Sequence, residues 1–158
     1  GLFLLNRVIY PWLGFRRARL ALPEYVPPPQ WQVRATLILS DPNGKVLLSK
    51  SDNNDTWHLP SSDPSVTEPP WIKANQLIQE NFHGAAVLND LSGIYLRQGE
   101  PEMEFVFTGA LKEGFSHQES QGVLFNHHSL PENLLSEHRS RVAEALKSDG
   151  EITYQLLE

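Results

Sequence analysis

The residues of this 158-residue chain best suited to metal or phosphate chemistry lie between Glu68 and Gly84. Across Trp71 to Gly84, Ala74 and Ile78 share a face at i, i+4, so the spacing predicts a helix that carries Gln76, Gln79 and Glu80. Carboxylates on a helix and just ahead of it can converge on a hard cation. Magnesium takes oxygen ligands and often makes do with one or two carboxylates plus phosphate and water. Glu80 is the one carboxylate on the run and Glu68 stands just before it, so a magnesium ion there would be weakly held. Glutamine adds a carbonyl oxygen but no charge.

Other groups offer less. His127 and His128 are a tempting metal pair with His138 downstream, but neighbours in a strand point to opposite sides, and no acidic cluster adjoins them. His58, His117 and Glu119 read as solvent-facing, and Arg139 with Arg141 as a solvated helix face. The chain has no cysteine, which excludes disulfides, thiolate zinc sites and cysteine nucleophiles.

The elements that must position Glu68 and Glu80 follow from the pattern around them. Trp31 to Leu39 alternates and reads as a strand, Asp41-Pro42-Asn43-Gly44 as a turn, and Val46 to Ser49 as the returning partner strand. Trp57 and Leu59 anchor a strand end in the core. Pro69-Pro70 suits the start of the helix and Gly84 its stop. Ala85 to Leu96, mostly strand, and Met103 to Leu111 form a hairpin or meander. Glu119 to Phe125 is a further strand, and Ser136 caps a closing helix that runs to Leu146.

Length and composition, with 40% apolar residues, suit one domain with an appendage: residues 1–29 as an N-terminal basic and apolar helical segment with a proline-rich connector, and 30–158 as the domain. The net charge of −6 argues against general nucleic-acid binding. Residues 1–22 carry Arg7, Arg16, Arg17 and Arg19 without an acid, which leaves −10 on the rest against +4. That segment is too short and too interrupted to span a bilayer. It reads first as an element packed on the domain, and second as a contact for a membrane surface or a protein partner. The expected location is cytoplasmic, membrane-peripheral if that contact is made.

Trp57-His58-Leu59-Pro60, the loop after it and the Trp71 to Gly84 helix together resemble the Nudix box: a Gly, five residues, a Glu, seven residues, Arg-Glu-apolar, one residue, Glu-Glu, one residue and Gly. In that register Ser62 stands for the first Gly, Glu68 keeps the first Glu, and Gln76 replaces the Arg. Leu77 and Asn81 replace two Glu residues, Ile78 and Glu80 are kept, and His83 replaces the last Gly. Slipped back by one, Gln76, Gln79 and Glu80 fall on the carboxylate positions; the first register also keeps Glu68. Three prolines and no glycine fill the loop Asp63 to Pro70, and Ser61 and Ser62 resist positive φ, so the loop should take another path. The strand–turn–strand opening, the Gly122-Val123-Leu124-Phe125 strand, the Leu130-Pro131 loop and the closing helix resemble the family in order over about residues 31 to 148.

The resemblance implies an α/β fold, a Nudix-like α/β/α sandwich with a mixed sheet, and magnesium-dependent hydrolysis of nucleoside diphosphate derivatives through Glu80 and Glu68 as metal ligands and catalytic groups. Each missing charged contact is worth about 1.5 to 3 kcal/mol, so two losses weaken metal holding or catalysis by roughly two to four decades. The expectation is a nucleotide-type binding or regulatory module with little turnover. The alternatives are a divergent hydrolase that takes its base from Glu102, Glu104, Glu113 or Glu119, and an assembly or membrane-peripheral subunit docked by residues 1–22.

Overall fold

The computed structural model describes residues 30–51, 55–97, 99–115, 122–147 and 152–157. The segment 1–29, His117 and Glu119 lie outside them. The elements run β1 (Gln32–Ser40), β2 (Lys45–Lys50), β3 (Trp57–His58), α1 (Pro70–Phe82), β4 (Ala86–Arg97), β5 (Glu102–Leu111), β6 (Gly122–Asn126), α2 (Ser136–Lys147) and β7 (Thr153–Leu157).

Among the described residues one mixed sheet runs β3-β2-β1-β5-β4-β7, with β6 paired to β2. β1 lies parallel to β5 over nine residue pairs, from Gln32 with Glu102 to Ser40 with Ala110. β4 and β5 form the expected antiparallel hairpin, with irregularities at Leu88/Asp90 and Leu91/Gly93.

Side chains alternate across this sheet, and that alternation builds two cores. Ala35, Leu37 and Leu39 of β1 pack with Ala74, Leu77, Ile78 and Phe82 of α1. Ile38, Val46 and Leu48 face the other way, onto Leu59, Tyr95 and Val142 of α2. The helices thus cover opposite faces, as expected of an α/β/α sandwich.

Several expectations need correction. β2 pairs antiparallel with β1 at Ser40 with Val46, and its longer ladder is with β6 over five pairs. The turn between β1 and β2 forms as expected, with Asp41 Oδ1 accepting from the Asn43 and Lys45 amides. The closing helix is not the last element: β7 follows it and lies parallel to β4. Ser136 is no cap, because the first helical bond runs from the Arg139 amide to the Leu135 carbonyl and so places Ser136 inside the first turn.

α1 starts one residue earlier than its apolar period suggests. Pro69 is the N-cap and Pro70 sits at the first helical position, where a missing N–H costs nothing. It stops through two successive left-handed residues, His83 at φ 51 and Gly84 at φ 74. His83 therefore adopts the left-handed backbone at the position where the motif has glycine.

Candidate functional site

The loop leading to α1 is pinned to β1 by its serines. The Ser62 amide donates to the Ala35 carbonyl, the Ala35 amide donates back to Ser62 Oγ at 3.0 Å, and Arg34 Nη1 donates to the Ser62 carbonyl at 3.0 Å. Neither Ser61 nor Ser62 takes positive φ.

At the far end of the loop Glu68 meets the helix. Gln76 Nε2 donates to Glu68 Oε2 at 3.0 Å, which joins the two residues that the first register places on the first Glu and the Arg of the motif. Lys73 Nζ lies 3.8 Å from Glu68 Oε1, and the lysine side chain is 8% exposed. Lys73 emerges from the buried stripe of α1 beside Ala74 and Leu77, so the core fixes its stem. Glu80 sits one turn past Gln76 on the exposed side of the helix.

These residues do not fit a magnesium ion. Both oxygens of Glu68 are engaged by protein groups, one of them cationic, which leaves Glu80 as the sole uncommitted carboxylate of the pair. Among the described residues no three His, Asp or Glu side chains converge on a point. His127 and His128 correct the strand argument, since they lie in the turn after β6 with ring centroids 4.0 Å apart. Even so, they gather no third ligand.

A polar cavity of about 440 Å³ opens on the α2 face of the sheet. β1 contributes Arg34, β4 Arg97, β5 Glu102 and Glu104, and α2 Glu137 and His138, with His58 and Ser61 closing one side. Neither Glu68 nor Glu80 lines it. Two of the carboxylates proposed as alternative bases, Glu102 and Glu104, do. Glu113 lies exposed in the turn after β5.

Each cavity glutamate from a strand is held by an arginine. Arg34 grips Glu102 through Nε to Oε2 at 3.1 Å and Nη2 to Oε1 at 3.3 Å. Arg141 donates from Nε at 3.1 Å and Nη2 at 2.9 Å to Glu104 Oε1, and Thr36 Oγ1 donates to Oε2 at 2.7 Å. Arg141 is 3% exposed, with its guanidinium carbon 3.7 Å from the Tyr95 ring centroid. It is therefore no solvated helix residue, as its spacing had suggested, although Arg139 is exposed. A buried pair of this kind is costly to break, since removal of one partner strands a charge at about 3 to 5 kcal/mol.

Burial raises the Tyr95 hydroxyl above its ordinary pKa, partly opposed by Arg141. At the cavity mouth Arg97 Nη2 donates to Glu137 Oε2 at 2.6 Å, which lowers the Glu137 carboxyl and raises Arg97. Half-exposed as it is, that pair contributes about 1 kcal/mol or less.

His138 is tied in differently. The Leu59 amide donates to its Nδ1 at 2.8 Å, which places any ring proton of the neutral form on Nε2. Burial pulls its pKa down to about 4, with Glu104 opposing and His58 reinforcing the shift. His58 is half-buried, its ring centroid 6.5 Å from that of His138, so it too departs from the exposed position expected.

Sequence reasoning missed Arg34, Arg97, Glu137 and the role of His138. A strand that alternates Arg34, Thr36 and Ile38 on the face opposite Ala35, Leu37 and Leu39 was the signal for the first of these. The others come together only when β4 and α2 close on the sheet.

No family model and no curated protein matches the sequence. Solved structures do match the fold. A NUDIX hydrolase from Nitrosomonas europaea superposes with a TM-score of 0.67 at 17% identity, covering 84% of this chain and 82% of that one. An ADP-ribose pyrophosphatase from Streptococcus suis gives 0.58 at 17% identity over 78% and 98% of the two chains. A UDP-X diphosphatase gives 0.60 at 18% over 88% and 72%. With its sandwich and its mixed sheet, the chain has the Nudix hydrolase fold.

Proposed function

We propose that this domain binds a nucleotide-type diphosphate derivative and hydrolyses it little or not at all, serving as a binding or regulatory module. The observation that carries this reading is the state of Glu68, whose oxygens face Gln76 and Lys73 rather than an open coordination site. Fold neighbours that act as an ADP-ribose pyrophosphatase and a UDP-X diphosphatase set the ligand class to try first. Calorimetric titration with ADP-ribose and UDP-glucose, paired with a phosphate-release assay on the same samples, tests it. Binding without turnover is the expected outcome. Turnover at ordinary enzyme rates, about 1 s⁻¹ or faster, would reject the reading.

A second reading, a divergent hydrolase, draws support from the placement of Glu102 and Glu104 in the cavity wall. It requires slow turnover that Glu80→Gln or Glu102→Gln abolishes. Turnover unchanged in both variants would remove it.

A further inference from the structure

We infer that Lys73 takes the cation's role at Glu68 and so keeps divalent metal off the α1 face, making ligand binding there independent of magnesium. The lysine side chain is 8% exposed and its ammonium lies 3.8 Å from Glu68 Oε1, too far for a direct hydrogen bond and near the outer limit of an ion pair. Two positive charges cannot share one carboxylate cheaply. Repulsion between charges a few ångströms apart near a protein surface is strong, and a divalent ion doubles what a univalent one would meet.

The ammonium cannot simply swing aside. Its stem leaves α1 within the stripe of Ala74, Leu77 and Ile78 that packs on β1, so moving it out would open the core edge. Gln76, one turn along α1 from Lys73, holds the second oxygen of Glu68. The carboxylate is thus oriented by protein groups before any ligand arrives. Glu80, one turn on, adds one more carboxylate, so the stretch Glu68–Glu80 carries a net charge of −1 among its described side chains (Glu68, Lys73 and Glu80). That is too little to draw a divalent ion past a resident ammonium.

The inference rests on the diphosphate-binding reading only for its ligand; its metal arm stands alone. Manganese, used as a spin probe for the magnesium class, is titrated into the full chain and followed by electron paramagnetic resonance. No ordered manganese is expected in the wild-type chain, and a roughly tenfold or greater gain in manganese affinity is expected in Lys73→Met. Adding Glu68→Gln to Lys73→Met should remove the gain. Stoichiometric manganese binding to the wild-type chain that Glu68→Gln abolishes would overturn the inference, and so would a Lys73→Met chain that binds no more tightly than wild type. The wild-type arm depends on no variant folding. In calorimetry, equal ADP-ribose affinity in chelator and in magnesium supports it, and affinity about tenfold higher in magnesium overturns it. Absence of ADP-ribose binding in both buffers counts against the ligand reading and leaves the manganese arms to decide the metal.

Discussion

His138, in the cavity wall, holds the Leu59 amide on Nδ1, and burial depresses its pKa to about 4. In the unfolded chain the same ring titrates near 6.5. The folded value is the lower one, so the neutral ring stabilises the fold above pH 6.5. That contribution fades as the unfolded chain takes up protons below 6.5, and is gone once pH has fallen through about 4. Allowing for residual solvent, the loss is on the order of 2 to 3 kcal/mol. Urea unfolding measured from neutral pH down to the folded pKa should show that slope, and His138→Gln, whose side-chain oxygen can still accept the Leu59 bond, should flatten it. An unchanged slope in the variant would assign the acid sensitivity to other groups. His138 appears in the sequence only as a third histidine beside a pair. Its partner, the Leu59 amide, lies 79 residues away, and no local pattern announces it.

Strand β5 shows what an element needs from its neighbours. It runs between β1 and β4, and at Gly109 a Cβ would sit 2.6 Å from the Val87 carbonyl oxygen and 2.9 Å from Leu39 Cδ2. The carbonyl belongs to a paired strand and cannot retreat, so Gly109→Ala should cost about 1 to 3 kcal/mol. Gly99→Ala, in the hairpin turn with nothing within 4 Å of the new methyl, should change stability by less than about 0.5 kcal/mol. Thermal melts of the two variants side by side check this, and equal melting points would show that the sheet tolerates the close approach. The 3.6 period of α1 was legible because one face of it is buried, and β1 and β5 were legible from their apolar, β-branched and aromatic residues, β1 being buried on both faces. β7 was not: Tyr154 is 70% and Leu156 52% exposed, so this edge strand carries little of the buried-face signal that marks the others.

At the scale of the whole molecule, both cores and every strand described lie between residues 30 and 157. The chain from residue 30 onward should therefore melt cooperatively, within a few degrees of the full chain. Circular dichroism of the two forms tests this, and a broad, non-cooperative transition in the shorter one would show that residues 1–29 complete the core. Liposome co-sedimentation of the same pair tests the arginine-rich segment as a membrane contact, with equal partitioning counting against it. Among the described residues no helix is long and apolar enough to cross a membrane.

Sequence alone determined the strands around α1 and the helix that carries Glu80, because periodicity and residue type are local properties of the chain, while the sandwich was an implication of the family resemblance. Tertiary structure decided which distant charges meet. Arg34 meets Glu102 only once β1 pairs with β5, and Arg141 meets Glu104 only once α2 closes on β5. Each charge finds its partner across the fold, since burial admits a charge chiefly when another element supplies its opposite.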